Sequence, residues 1–172
     1  KRVDKAVFPG LQGGPHENVI AAKAVAFKEA QDTQFTEYAK QTIKNARVLA
    51  EKMDEYEFEL VFGGTDNHLL LIDVTSKDVT GKQVEAALDK AGMTVNKNTV
   101  PDDSRSPMDP SGIRLGTPAL TTRGMKEAEM KKIAEWIHRV VEHIDDEGHL
   151  ENIRAEVKTL TDRFPLYENL TY

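Results

Sequence analysis

Two short β-forming runs, FELVFG from Phe58 and HLLLIDV ending at Val74, interrupt an otherwise helix-patterned chain. Between them Gly63, Gly64, Thr65, Asp66 and Asn67 form a turn cluster, so the pair reads as a β-hairpin-like unit. A purely helical bundle is thereby excluded, and helices must pack on a small sheet. Upstream, Pro9, Gly10, Gly13, Gly14 and Pro15 make residues 1–15 a loop. Helical spacing of apolar residues then predicts helices over about Glu17–Ala30 and Thr33–Met53. Downstream, Thr80 and Gln83 have capping-box spacing and Gly92 stands at the expected stop, which predicts a short amphipathic helix. Met93–Val95 and Ile113–Leu115 read as strands flanking a long loop, followed by helices at about Met125–Ile144 and Leu150–Phe164. The order α-α-β-β-α-β-loop-β-α-α defines an α/β or α+β class.

Composition narrows the chemistry. The 172 residues carry 23 Lys+Arg against 29 Asp+Glu, a net charge of −6 that offers no basic field to a nucleic acid. No apolar run approaches the ~20 residues of a membrane span, and no leader opens the chain. With no cysteine, disulfides, thiolate nucleophiles and sulfur-ligated metals are all excluded. The opening KRVDKAVFPG starts at Lys1 and reads as the interior of a longer protein.

Several stretches could carry function, each with a plainer alternative. The glycines before the first helix could turn backbone N–H groups toward an anion, or make an ordinary turn. The Asn96–Pro110 loop, stiffened by Pro101, Pro107 and Pro110, either shapes a pocket or is a surface excursion. In SGIRLGTPA, if Ile113 and Leu115 face the core, Arg114 projects from the opposite face between Gly112 and Gly116. Such a guanidinium suits two-pronged capture of a carboxylate, or pairs with a local acid. His68 can order a turn or line a pocket wall. His138 and His143 match no metal-ligand spacing and read as solvated, Asp145–Glu147 reads as a helix end, and Trp136 and Ile137 read as packing.

Taken together, AVFPGLQGGP, GGTDNHLLLIDV, TGKQVEAALDKAGMTVNKNTVPDD and SRSPMDPSGIRLGTPALTTRG resemble serine hydroxymethyltransferase, in one register from about Ala6 to Tyr167. The resemblance implies the C-terminal part of a fold-type I pyridoxal-phosphate transferase: residues 1–53 as the end of the large domain and connecting helices, 54–172 as a small α+β domain. It implies transfer of a one-carbon unit between serine and tetrahydrofolate, giving glycine and 5,10-methylenetetrahydrofolate, in a cytoplasmic homodimer with shared active sites. By motif, Arg114 would hold the amino-acid carboxylate. Gly13 and Gly14 would reach the cofactor phosphate of the neighbouring subunit, and Phe8 would approach that neighbour's folate site. Asn98, Ser106, Pro107 and Met108 would contact folate, Met108 departing from the Phe often found there. The family's Schiff-base lysine, in a Thr-rich His-Lys-Thr run, has no counterpart here, since Lys97 and Lys158 lack that context. Its cofactor-stacking histidine, pyridinium-pairing aspartate and active-site glutamate and tyrosine also belong upstream. Taken alone, the chain would hold binding residues without a catalytic centre, either as part of the enzyme or as a stand-alone small-domain module. Another fold-type I enzyme is a further alternative, disfavoured by the folate-loop match.

Overall fold

A computed structural model describes residues 1–167; residues 168–172, the end of the second sequence segment, lie outside the described residues. Its contacts group into two units, Lys1–Glu37 and Tyr38–Tyr172. In the first, α1 (Arg2–Lys5) runs into a wide helical turn, Ala6–Leu11, broken where Phe8 and Pro9 leave helical dihedrals. The glycine-rich loop follows, and α2 (Glu17–Ala30) has the bounds its spacing predicts. No residue of α1, the wide turn or α2 is buried.

The 23-residue helix α3 (Thr33–Glu55) continues into the second unit, where its C-terminal half gives Ala46, Leu49, Ala50 and Met53 to the core. The two β-runs become β1 (Glu59–Leu60) and β2 (Leu69–Asp73), antiparallel with Glu59 opposite Asp73. After α4 (Gly81–Lys90) come β3 (Asn96–Asn98) and β4 (Gly112–Gly116), completing an antiparallel sheet of order β1-β2-β4-β3. Three helices follow: α5 (Pro118–Thr122), α6 (Glu127–Glu142) and α7 (Glu147–Thr161).

Strand alternation sorts the sheet into two faces. Leu70 and Ile72 of β2, with Ile113 and Leu115 of β4, are buried in one core with α4, α6 and α7. Helix α4 starts at a capping box in which Thr80 and Gln83 exchange side-chain and backbone bonds, as the spacing predicts. It ends before Gly92, whose φ of +80° suits glycine.

Four local expectations are corrected. Residues 1–15 are not loop throughout, since α1 and the wide turn occupy 2–11 and only the stretch from Gln12 to the start of α2 stays irregular. The third strand is Asn96–Asn98 rather than Met93–Val95. A polar Asn-Lys-Asn run reads as loop, yet pairing with β4 and the grip of Glu85 on the Lys97 N–H (2.9 Å) and ammonium (2.7 Å) hold it extended. Asp146 does not close a helix but opens α7, accepting from the His149 N–H at 3.0 Å, where negative charge is favourable. His138 is half-buried, its ring stacked 4.4 Å from that of Tyr56. Helix α5 has too few residues for periodicity to reveal it, whereas Trp136 and Ile137 are buried as packing residues.

Candidate functional site

Arg114 is exposed between buried Ile113 and Leu115, on the sheet face opposite the core, as alternation requires. Its register partners are Leu71 on β2 and Asn96 on β3, with Asn98 opposite Gly112 on the same face. Among the described residues Arg114 makes no ion pair, so the local-acid alternative is not what the fold presents. The strand that carries it is pinned at both ends. Val74 donates to the Ser111 carbonyl at 3.0 Å, and the buried Thr117 hydroxyl donates to the Thr42 carbonyl of α3 at 2.8 Å.

Arg114 and Asn98 open onto one cleft of about 820 Å³, bounded by α3, β2 and the β1–β2 turn. Arg47, Glu51 and Asp54 line it from α3, and Phe62, 78% exposed, stands at its edge. These were not singled out from the sequence, although Arg47, Glu51 and Asp54 recur at one-face helical spacing, which is the available signal. No lysine is among the cleft-lining residues. Lys97 is tied to Glu85 instead.

Ser106, Pro107 and Met108 are exposed on the loop between β3 and β4 and do not line this cleft. That loop is braced internally by Asp103, another residue missed in the sequence. Its carboxylate accepts from the N–H groups of Val100, Arg105 and Ser111 at 3.2, 2.9 and 3.0 Å, and from the Ser111 hydroxyl at 2.7 Å. These bonds, those from Ser111 foremost, hold the Asp103 carboxyl well below its ordinary range. Arg105 adds an ion pair to Asp109 and donates to the Asp109 carbonyl at 3.0 Å.

Phe8, Gly13 and Gly14 lie in the first unit. Phe8 is 63% exposed in extended backbone. Gly13 and Gly14 are exposed without positive φ, and a Cβ on either would meet nothing within 4 Å. Nothing in their own chain therefore demands glycine at these two positions. His68 keeps its side chain exposed, and its backbone carbonyl accepts from the Thr117 N–H at 3.2 Å just before β2. Among the described residues no group of three or more His, Asp or Glu could hold a metal ion. Among the described residues no helix is long and apolar enough to cross a membrane.

Comparison with known proteins gives this geometry a setting. The chain is 56% identical over 165 residues to a serine hydroxymethyltransferase of Acidobacterium capsulatum, an alignment covering 96% of this chain and 39% of that protein. To a serine hydroxymethyltransferase of Methanospirillum hungatei it is 53% identical over 169 residues, covering 98% and 41%. It thus spans about two-fifths of the length of these curated relatives. The family model described as serine hydroxymethyltransferase matches residues 1–137, from the first residue into α6 and through the loops and strands that carry Phe8, Gly13, Gly14, Asn98, Ser106, Pro107, Met108 and Arg114. On that match, and with the mixed helical and antiparallel-sheet fold expected of it, the chain belongs to the serine hydroxymethyltransferase family.

Proposed function

We propose that the protein containing this chain is an enzyme that interconverts serine and tetrahydrofolate with glycine and 5,10-methylenetetrahydrofolate, and that this chain supplies binding groups for it. The observation that carries the reading is the Arg114 guanidinium, free of ion pairs among the described residues and raised from a strand fixed at both ends onto an 820 Å³ cleft. Two parallel N–H···O bonds from a planar guanidinium fix a carboxylate in orientation as well as position, so Arg114 would set the rotation of the bound amino acid.

Pyridoxal phosphate, when bound, supplies the electron sink for bond breaking at the amino-acid α-carbon. The donor set fits part of that group. Gly13 and Gly14 leave space for close approach of a phosphate to their N–H groups, and the cleft residues include no lysine for covalent attachment. We therefore assign Gly13 and Gly14 to the cofactor phosphate in the partner subunit of a homodimer, and Phe8 to the approach to that subunit's folate site. Asn98 and the Ser106–Pro107–Met108 turn would contact tetrahydrofolate. Residues 1–53 would close the large domain and connect it to the small domain at 54–172, with the C-terminal half of α3 entering the latter's core. The whole assembly would act in the cytoplasm.

In the full-length protein Arg114→Lys should lower kcat/KM for serine by about 10- to 100-fold, from loss of one charge-assisted hydrogen bond of ~1.5–3 kcal/mol and the misorientation that follows. Unchanged kinetics would make Arg114 structural only. The second unit also has its own contiguous core, which favours a second reading of the chain in isolation as a folded but inactive binding module. Borohydride trapping of pyridoxal phosphate on the isolated chain, followed by peptide mapping, should label no lysine stoichiometrically. A single labelled site, at Lys97 for instance, would overturn that inactivity.

A further inference from the structure

Asp103 touches neither Asn98 nor Arg114, yet its four hydrogen bonds close the β3–β4 loop upon itself. Through Val100 it holds the foot that leaves β3 just after Asn98. Through Ser111 it holds the foot that enters β4 just before Gly112 and Arg114. Between the feet, the Asp109 N–H donates to the Ser106 carbonyl at 2.9 Å, the Met108 N–H to the Ser106 hydroxyl at 3.2 Å, and Arg105 clamps Asp109. The tip is thus formed while remaining open, with Met108 75% exposed. A carboxylate here acts on a ligand only by fixing the residues around it.

We propose that Asp103 is a positioning residue for the folate co-substrate: by joining both feet of the loop it holds Ser106–Met108 and the neighbouring Asn98 in preformed positions, so that little ordering remains when the ligand binds. The proposal rests on the assignment of that loop to folate. An unbraced loop of this length samples many conformations, and binding must then select one, which lowers affinity without changing the contacts made. Serine, held by Arg114 on the paired strand, should be little affected.

The test uses the full-length protein. Asp103→Asn keeps size but replaces one acceptor oxygen with an NH2 that faces a backbone N–H. It should raise the KM and calorimetric Kd for tetrahydrofolate by about tenfold and leave KM for serine within about twofold. Hydrogen exchange of residues 104–110 should quicken while that of β2 and β4 stays slow. Ser111→Ala, which removes only the 2.7 Å bond, should move folate affinity the same way by a smaller factor. Asn98→Ala and Met108→Ala check the assignment of the loop itself. If they weaken folate binding and Asp103→Asn does not, the positioning role is wrong and the folate assignment stands. If none of the variants changes folate binding, the assignment falls and the proposal with it. Equal losses for serine and folate in Asp103→Asn would mark a merely structural residue and also overturn it.

Discussion

Gly81→Ala should destabilise the second unit, against the direction that helix propensity alone gives. Gly81 is the first residue of α4, and its N–H donates to the Pro110 carbonyl at 2.8 Å. A Cβ built there lies 2.0 Å from the Gly112 carbonyl oxygen, 2.9 Å from its carbon and 3.0 Å from the Pro110 oxygen. All three are backbone atoms that no side-chain rotation can clear, and ordinary contact begins near 3.4 Å. Alanine would favour the helix by ~0.5–1 kcal/mol, while forced overpacking costs ~1–3 kcal/mol and more where backbone must move. The net expectation is a loss of about 2 kcal/mol, or ~4–8 °C in Tm for a chain of this size. Gly148→Ala is the internal control. It lies in the first turn of α7, its Cβ would meet only Asp146 Oδ1 at 3.5 Å, and propensity should prevail with a gain of ~0.5–1 kcal/mol. Urea unfolding of the chain, followed by fluorescence of its one tryptophan, Trp136, reads both variants. If Gly81→Ala matches or exceeds the wild type while Gly148→Ala gains, α4 does not sit against β4 as described, and the argument from contact fails.

Asn45→Leu should cost ~2–4 kcal/mol by the same urea assay, because fully buried Asn45 donates to Thr121 Oγ1 and the Met125 carbonyl, both at 3.0 Å, and leucine removes both bonds, leaving the Thr121 hydroxyl only the bond it donates to the Thr117 carbonyl. Glu156→Gln should flatten the acid limb of stability. Arg139, then the Trp136 indole N–H at 2.7 Å, lower the Glu156 carboxyl from 4.5 to about 2, so its contribution is complete above pH 4.5 and lost as pH falls toward 2. Since the side chain is 38% exposed, the cost at neutral pH should be only about 1 kcal/mol, and an unchanged acid limb in Glu156→Gln refutes the assignment. Mixing two inactive full-length variants, Gly14→Val and one lacking the cofactor-attaching lysine, should restore partial activity through one intact shared site per mixed dimer. No recovery despite demonstrated subunit exchange would assign the glycine loop to its own subunit.

The helices α2, α3 and α4 and the hairpin from Glu59 to Asp73 were legible in the sequence, because each is specified within a few residues of itself: apolar spacing, a Thr80–Gln83 cap, a Gly-Gly turn. Arg114 was legible too, since alternation about Ile113 and Leu115 dictates its face once the strand exists. Other features depended on partners remote in sequence. Asn96–Asn98 is a strand through β4 and Glu85, the end of β4 is tied through Thr117 to the Thr42 carbonyl of α3, and α3 supplies a cleft wall to a strand some sixty residues later. The division follows from physics: caps and periodicities act along the chain, whereas hydrogen bonds to carboxylates, strand register and the walls of a cleft exist only after distant segments have packed.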